Sequence, residues 1–292
     1  MQSTDALADK LLKNWVGRDS RTRLRHFPFR VIAGRAVPLA KKFRISFPIS
    51  ARMPWGGRFY GLFPEAVTFQ LWRLRFYDTR ASVFVREHLK PGQCFVDVGA
   101  HFGYFTLLAS RIVGDAGKVI AVEPTPSSYA LLVANIERNN LANVCALPFA
   151  ADEKAGTLSL TDFGPIYSTL NTSDDVRGDV PEHIERKHFD ARAVRLDDEI
   201  GAQVVHMVKI DVEGHEIEAL RGMQQALTRD RPIVLIECGG KSGDRERDRV
   251  REIFAFMAER GYGANESDGR TLTPISVATK NPKRNDVVFT HR

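Results

Sequence analysis

From Cys94 onward, short apolar runs alternate with stretches whose apolar residues recur at helical spacing. Cys94-Phe95-Val96-Asp97-Val98 predicts a buried strand, and Phe105, Leu108, Ala109 and Ile112 then follow at i, i+3, i+4 and i+7. Residues 118–123 predict a second strand. Pro124 and Pro126 open a helix striped by Tyr129, Leu132, Val133 and Ile136, and residues 143–150 predict a third strand. The pattern resumes with a strand over 205–211, a helix striped by Ile217, Leu220, Met223 and Leu227, a strand over 233–237, and a helix carrying Val250, Ile253, Phe254 and Met257. Strands alternating with helices predict right-handed βαβ units and a parallel sheet covered on both faces. The tail differs: residues 262–267, the turn Asp268-Gly269 and residues 286–291 predict strands with no helix between them, hence an antiparallel edge. Residues 161–190 fit neither period. They are polar, with Gly164-Pro165 and a Ser/Thr/Asp cluster from Ser168 to Asp175, and predict a long functional loop or lid.

The chain has 292 residues, 43% hydrophobic and 27% charged, enough for one large α/β domain with an appendage. No apolar run approaches the roughly 18 residues of a membrane span. The first residues carry two aspartates and no apolar core, which argues against a secretory signal and predicts a cytoplasmic protein. Cys94, Cys145 and Cys238 are widely spaced and odd in number, as buried reduced thiols would be. Charge divides the chain. Residues 1–60 hold 13 Lys/Arg against 3 Asp/Glu, and the remainder 29 against 33. A basic extension or cap (1–80) is therefore expected ahead of the main domain (81–292). In the extension, Arg21, Arg23, Arg25, Arg30, Arg35, Lys41, Lys42 and Arg44 are interleaved with Phe27, Phe29, Phe43 and Phe47. This predicts a solvated cap packed on the domain or a homo-oligomer contact. Binding of nucleic acid, an anionic glycan or lipid head groups is the alternative.

The densest chemistry follows the first strand. An acid at a strand end, a glycine turn and then a helix form a nucleotide-binding arrangement, because glycines allow close approach and the helix start offers free N–H groups. A dinucleotide loop needs a second glycine where the pyrophosphate comes close. Here that position is His101, which suits a ligand without phosphates. S-adenosylmethionine is such a ligand: it carries an ammonium group, a carboxylate and a ribose diol. Asp97 could meet the ammonium, Glu123 the ribose hydroxyls, and Asp152 the adenine amino group. The predicted contact set is Asp97, Val98, Gly99, Ala100, His101, Gly103, Tyr104, Phe105 and Thr106, then Glu123 and Pro124, then Ala151 and Asp152.

A second cluster runs from Met207 to Glu216. Lys209 breaks an otherwise apolar central strand, and alternation puts Lys209, Asp211 and Glu213 on one face if the strand continues. A buried lysine needs partners, and Asp97, Asp211 and Glu237 all end strands at the same sheet edge. Ligands of open α/β sheets bind there. Methyl transfer to a hydroxyl needs a proton acceptor. His215, at a helix start that favours neutral imidazole, is the expected base, with Asp211 as competitor and Glu213 and Lys209 beside them. A divalent cation held by Asp211, Glu213 and Glu237 is the less favoured arrangement.

Together DVGAHFGYFT, VEPTPSSYALLVANIERNN, LDDEI, KIDVEGHEIEALRGM and RPIVLIECG, in that order over roughly residues 85–240, resemble FkbM-family methyltransferases. The resemblance implies a class I, Rossmann-like fold with a seven-stranded sheet and S-adenosylmethionine as donor. It also implies O-methylation of a sugar, glycan, polyketide or related secondary-metabolite hydroxyl. His101-Phe102 departs from the Asn and smaller apolar residue often found there, and the first 80 residues lie outside the resemblance. The alternatives are an RNA ribose methyltransferase docked by the basic segment and a non-catalytic cofactor-binding protein. His101 argues against a dehydrogenase.

Overall fold

The computed structural model describes residues 33–164, 166–167, 172–173, 184–238, 244–278 and 286–291. Arg21, Arg23, Arg25, Phe27, Phe29 and Arg30, and most of the Ser168-to-Asp175 cluster, lie outside them. A 3-10 turn (Ala33–Ala36) and a short helix (Val37–Lys42) lead into a hairpin, β1 (Phe47–Arg52) and β2 (Arg58–Phe63), followed by helices Ala66–Leu74 and Thr79–His88. Then come β3 (Cys94–Val98), β4 (Lys118–Val122), β5 (Val144–Leu147), β6 (Ala150–Ala151), β7 (Gly156–Asp162), β8 (Thr172–Ser173) and β9 (Lys187–Val194). The chain continues with β10 (Met207–Ile210), β11 (Ile233–Glu237), β12 (Tyr262–Ser267), β13 (Leu272–Pro274) and β14 (Asp286–His291).

The main sheet runs β13-β12-β14-β11-β10-β3-β4-β5. Its five strands from β11 to β5 are parallel, and β14, β12 and β13 close it as an antiparallel edge. This is the Rossmann-like class I arrangement, with eight strands where seven were expected. β13 is the addition. The Asp268 carboxylate accepts the Arg270 and Thr271 N–H groups (2.9 and 2.8 Å) and folds the chain back on β12. The sheet order reverses between β3 and β10, which opens a crevice beyond their carboxyl ends.

Four other expectations are corrected. The third strand stops at Leu147, because Pro148 offers no N–H, and Ala150 and Ala151 join a second sheet, β6-β9-β7-β8. That sheet takes up most of the described part of 161–190, which was expected to be a loop. The single helix after β10 is two, Glu216–Gly222 and Gln224–Asp230, divided at buried Met223. Cys145 lies exposed on edge strand β5, whereas Cys94 and Cys238 are buried; all three are free.

Alternation along the strands sorts the core into two faces. Val96, Val98, Val208, Ile210, Val234 and Ile236 pack beneath helices 216–222, 224–230 and 244–259. Phe95, Val119, Met207 and Leu235 face the other way, onto helices 79–88 and 104–113 and onto Ala51, Phe59, Val67 and Leu71. The hairpin is joined to helix Pro126–Arg138 by two side chains. Buried Asn135 accepts from Tyr60 N (2.7 Å) and donates to Tyr60 O (2.8 Å) and Phe102 O (2.9 Å). Asn139 accepts from Arg58 N (2.8 Å) and donates to Arg58 O (2.7 Å). Two amides thus act as the missing neighbour of β2 and tie it to the glycine loop.

Candidate active site

Past Val98 the chain turns through Gly99 (φ 80°), His101 (φ 54°) and Gly103 (φ 90°) before helix Tyr104–Val113 begins. Gly99 cannot carry a side chain, because a Cβ there would collide with the Asp211 carbonyl oxygen. The ends of β3 and β10 therefore meet main chain to main chain. His101 is an L-residue in the left-handed region. Its N–H donates to Glu123 Oε2 (2.9 Å), and its ring stacks on Phe102, with centroids 3.8 Å apart. Burial pushes the His101 imidazole down to about 4, so the ring is neutral. The other Glu123 oxygen accepts from Thr125 N (2.9 Å). Burial pushes Glu123 up to about 7 despite those bonds.

The odd-numbered face of the sheet collects the charge. Lys209 pairs in register with Asp97, and its Nζ lies 2.8 Å from Asp211 Oδ2 and 4.8 Å from the centre of the Phe105 ring. Burial alone would lower the lysine. The charges of Asp211 and Asp97 and the hydrogen bond to Asp211 outweigh it and hold the ammonium above its ordinary value. Asp97 is 1% exposed and accepts from Thr106 Oγ1 (2.6 Å). Burial holds it above the usual carboxylate range, opposed by Lys209. For Asp211, burial is outweighed by Lys209 and by a hydrogen bond with Glu237, and the group is held low. Glu237 is pushed up to about 9 by burial and then by Asp211, so it keeps its proton and donates it to Asp211.

Beyond Ile210 the chain leaves the extended form, with Glu213 at φ 51°. His215 caps helix Glu216–Gly222; its Nε2 is 2.9 Å from Asp152 Oδ2, and its Nδ1 is 3.6 Å from Glu218 Oε2.

These groups border one cavity. Of the predicted donor contacts, Asp97, Val98, Gly99, Ala100, His101, Tyr104, Phe105, Glu123, Pro124 and Ala151 line it, as do Lys209, Asp211, Glu213, His215 and Glu237. Gly103, Thr106 and Asp152 are not among the lining residues. Gly103 packs against Leu132, Thr106 bonds Asp97, and both Asp152 oxygens are engaged, by His215 and by Lys154 N. Among the described residues, no group of three or more His, Cys, Asp or Glu is disposed to hold a metal ion.

Sequence reasoning missed Val67, Tyr77, Thr125, Leu158 and Leu160, which also line the cavity. The alternation of Leu158 and Leu160 was a strand signal; nothing marked Val67 or Tyr77. Tyr77 stands just before the helix capped by Asp78, and its carbonyl accepts from Ser82 Oγ (2.9 Å). Its ring meets Tyr104 edge-on at 5.8 Å. Burial, then the Asp211 charge, raises the phenol well above its ordinary value, so it stays protonated as a donor.

The family described as "Methyltransferase FkbM domain" matches residues 97–263, more than half the chain, from Asp97 through β12. The chain belongs to the FkbM methyltransferase family. Among relatives, it is 29% identical to methyltransferase sdnD of Sordaria araneosa, over 60% of this chain and 75% of that protein. It is 30% identical to the 31-O-demethyl-FK506 methyltransferase FkbM of Streptomyces tacrolimicus, over 47% of this chain and 62% of that one. It is 27% identical to the hexuronic acid methyltransferase AglP of Haloferax volcanii, over 54% and 62%. The latter two alignments span under two thirds of those relatives' length, and the family match begins at Asp97, after the hairpin and helices that supply Val67 and Tyr77. Among the described residues no helix is long and apolar enough to cross a membrane.

Proposed function

We propose that the protein transfers a methyl group from S-adenosylmethionine to a hydroxyl of a sugar, glycan or secondary metabolite. The observation that carries this is the single cavity with a glycine loop and Glu123 at one end and the Lys209–Asp211–Glu237 cluster beside His215 at the other. The donor set suits the ligand. The Glu123 carboxylate is fixed by the His101 and Thr125 N–H groups and lines the cavity, where it can accept from a ribose hydroxyl. Asp97 and Asp211 supply negative charge for an ammonium and a sulfonium, and His101 leaves no room for a pyrophosphate. Bound S-adenosylmethionine would supply an electrophilic methyl group.

The chain's own residues then position and deprotonate the acceptor. His215 is the proposed base, with Asp152 fixing the tautomer through Nε2 as a triad carboxylate fixes its histidine. Asp211 is a poor base, because Lys209 and the Glu237 proton hold it ionised. Its role is a fixed negative charge at the cavity wall. Tyr77 and Glu213 are left to bond the acceptor's other polar groups, and Val67, Leu158 and Leu160 exclude water. Relatives named for a hexuronic acid and a 31-O-demethyl compound support a hydroxyl or carbohydrate acceptor.

Calorimetry with S-adenosylhomocysteine and NAD tests the donor, and a labelled-methyl screen over glycans, natural products and RNA, with and without Mg²⁺, tests the acceptor. Binding of NAD without S-adenosylhomocysteine would overturn the donor assignment. Methylation of RNA alone would overturn the acceptor class.

A further inference from the structure

We propose that the segment Leu39 to Phe47 docks the protein on an anionic lipid surface. Among the described residues, six large apolar side chains are substantially exposed, and four of them fall within nine positions: Leu39 (61%), Phe43 (62%), Ile45 (52%) and Phe47 (48%). Water disfavours such a cluster, and exposed apolar side chains gathered in one segment mark a surface that something covers. Leu39 and Phe43 are four apart across the end of helix Val37–Lys42, where Phe43 N bonds Leu39 O (3.0 Å), and so share a side. Lys41, Lys42 and Arg44 stand between the apolar positions. From Asp19 to Glu65 the sequence holds ten Lys/Arg and no intervening acid.

Apolar side chains interleaved with cations match the boundary of a bilayer, where acyl chains take the first and acidic head groups the second. The charge decides among occupants. A second copy of this segment would set cation against cation. A nucleic acid would bind the cations through its phosphates but would give Leu39 and Ile45 nothing apolar to bury against.

A recess of about 470 Å³ beside the segment is net basic, with Lys41, Lys42, Arg44 and Lys187 at its walls against Asp162 and Glu185, and Phe163 and Tyr167 among its lining. Lys41 Nζ lies 4.8 Å from the centre of the Tyr167 ring. One strand joins this recess to the active site: Leu158 and Leu160 of β7 line the catalytic cavity, and Asp162, the last residue of β7, lines the recess. Residues two apart on a strand are about 7 Å apart. A docked protein therefore holds the recess, and the catalytic cavity that shares β7 with it, next to the docking segment.

The test is co-sedimentation of the full chain with phosphatidylcholine vesicles with and without phosphatidylglycerol. Binding is expected only with the anionic lipid. The triple variant Leu39→Ser, Phe43→Ser, Ile45→Ser should weaken it about ten-fold or more, as should Lys41→Glu with Lys42→Glu. Both variants should stay folded with S-adenosylhomocysteine affinity unchanged, which separates this proposal from the donor assignment. No binding to anionic vesicles would overturn it, and so would equal binding by the serine variant. A dimer seen by light scattering that the serine variant dissolves, without vesicle binding by the parent, would overturn it in favour of self-association.

Discussion

Replacing Lys209 with Met removes the cation that Asp211 touches at 2.8 Å while keeping the length and apolar stem of the side chain. Asp211 then has no ammonium beside it, and its proton-bearing neighbour Glu237 cannot supply a positive charge. The cost has a ceiling, because the group can escape by taking up a proton. Protonating a carboxyl of ordinary pKa, about 3.9, costs about 1.4 kcal/mol per pH unit, hence about 4 kcal/mol at pH 7 and about 1.5 at pH 5. The Asp211 side chain is 24% exposed, so water recovers part of this. The expected loss is about 2–4 kcal/mol at pH 7, in line with breaking a buried ion pair. The sign with pH follows. In the parent, Asp211 is held low and contributes stability that is present above its unfolded pKa and lost as pH falls through the folded one. In the variant, its folded pKa lies above the unfolded value, so its penalty shrinks as pH falls. Burial raises Glu123 in both proteins, and that contribution cancels in the difference. Asp97, Glu237 and Asp286 lose the lowering charge of Lys209 in the variant, so they are pushed further up and act in the same direction as Asp211. Urea unfolding of parent and variant at pH 7 and pH 5 should show a destabilisation that falls by up to about 2.5 kcal/mol on acidification. A difference independent of pH, or one below about 1 kcal/mol at pH 7, would refute the view of Lys209 as the cluster's neutralising charge.

Glu123 sits near pKa 7 without ligand, so S-adenosylhomocysteine should bind more tightly as pH rises from 6 to 8. Glu123→Gln should remove that dependence and weaken binding roughly ten- to hundred-fold by calorimetry, the worth of a lost charge-assisted hydrogen bond. His215→Asn should lower kcat about 10²- to 10⁴-fold with S-adenosylhomocysteine affinity unchanged; a full-rate variant would shift the base elsewhere. Asn135→Ala strips the bonds to Tyr60 and leaves the Phe102 carbonyl short of a donor. Denaturant titration should register a loss of about 2–3 kcal/mol, whereas a loss under about 1 would mean that water takes over the joint.

The parallel sheet was legible because its strands are buried on both faces and its helices carry apolar stripes; Phe95-Val96 and Ile233 to Ile236 have little else to signify. The helix break at Met223 was not, since a buried methionine there continues the stripe from Ile217 to Leu227 unbroken. β13 depends on one aspartate folding a turn, a local event without periodicity. In the site, Asp97, Gly99, Glu123 and Lys209 were visible because each is out of place on an apolar strand or at its end. Tyr77 and Val67 reach the cavity only through the way the hairpin and its helices cover the sheet, and long-range packing leaves no local trace. Asp152 was visible as an acid past the third strand and His215 as a candidate base, but their pairing across 63 positions was not.

The two asparagines that hold the hairpin bond main-chain atoms of Arg58, Tyr60 and Phe102, and Asn139 also donates to the Asn135 carbonyl. Main chain is the same whatever side chain it bears. Substitutions at 58 and 60 can thus recolour that face of the protein while the seam beneath keeps its bonds. The hairpin is a replaceable cover on a fixed hinge plate, and a designer could exchange its exposed side chains without touching the sheet.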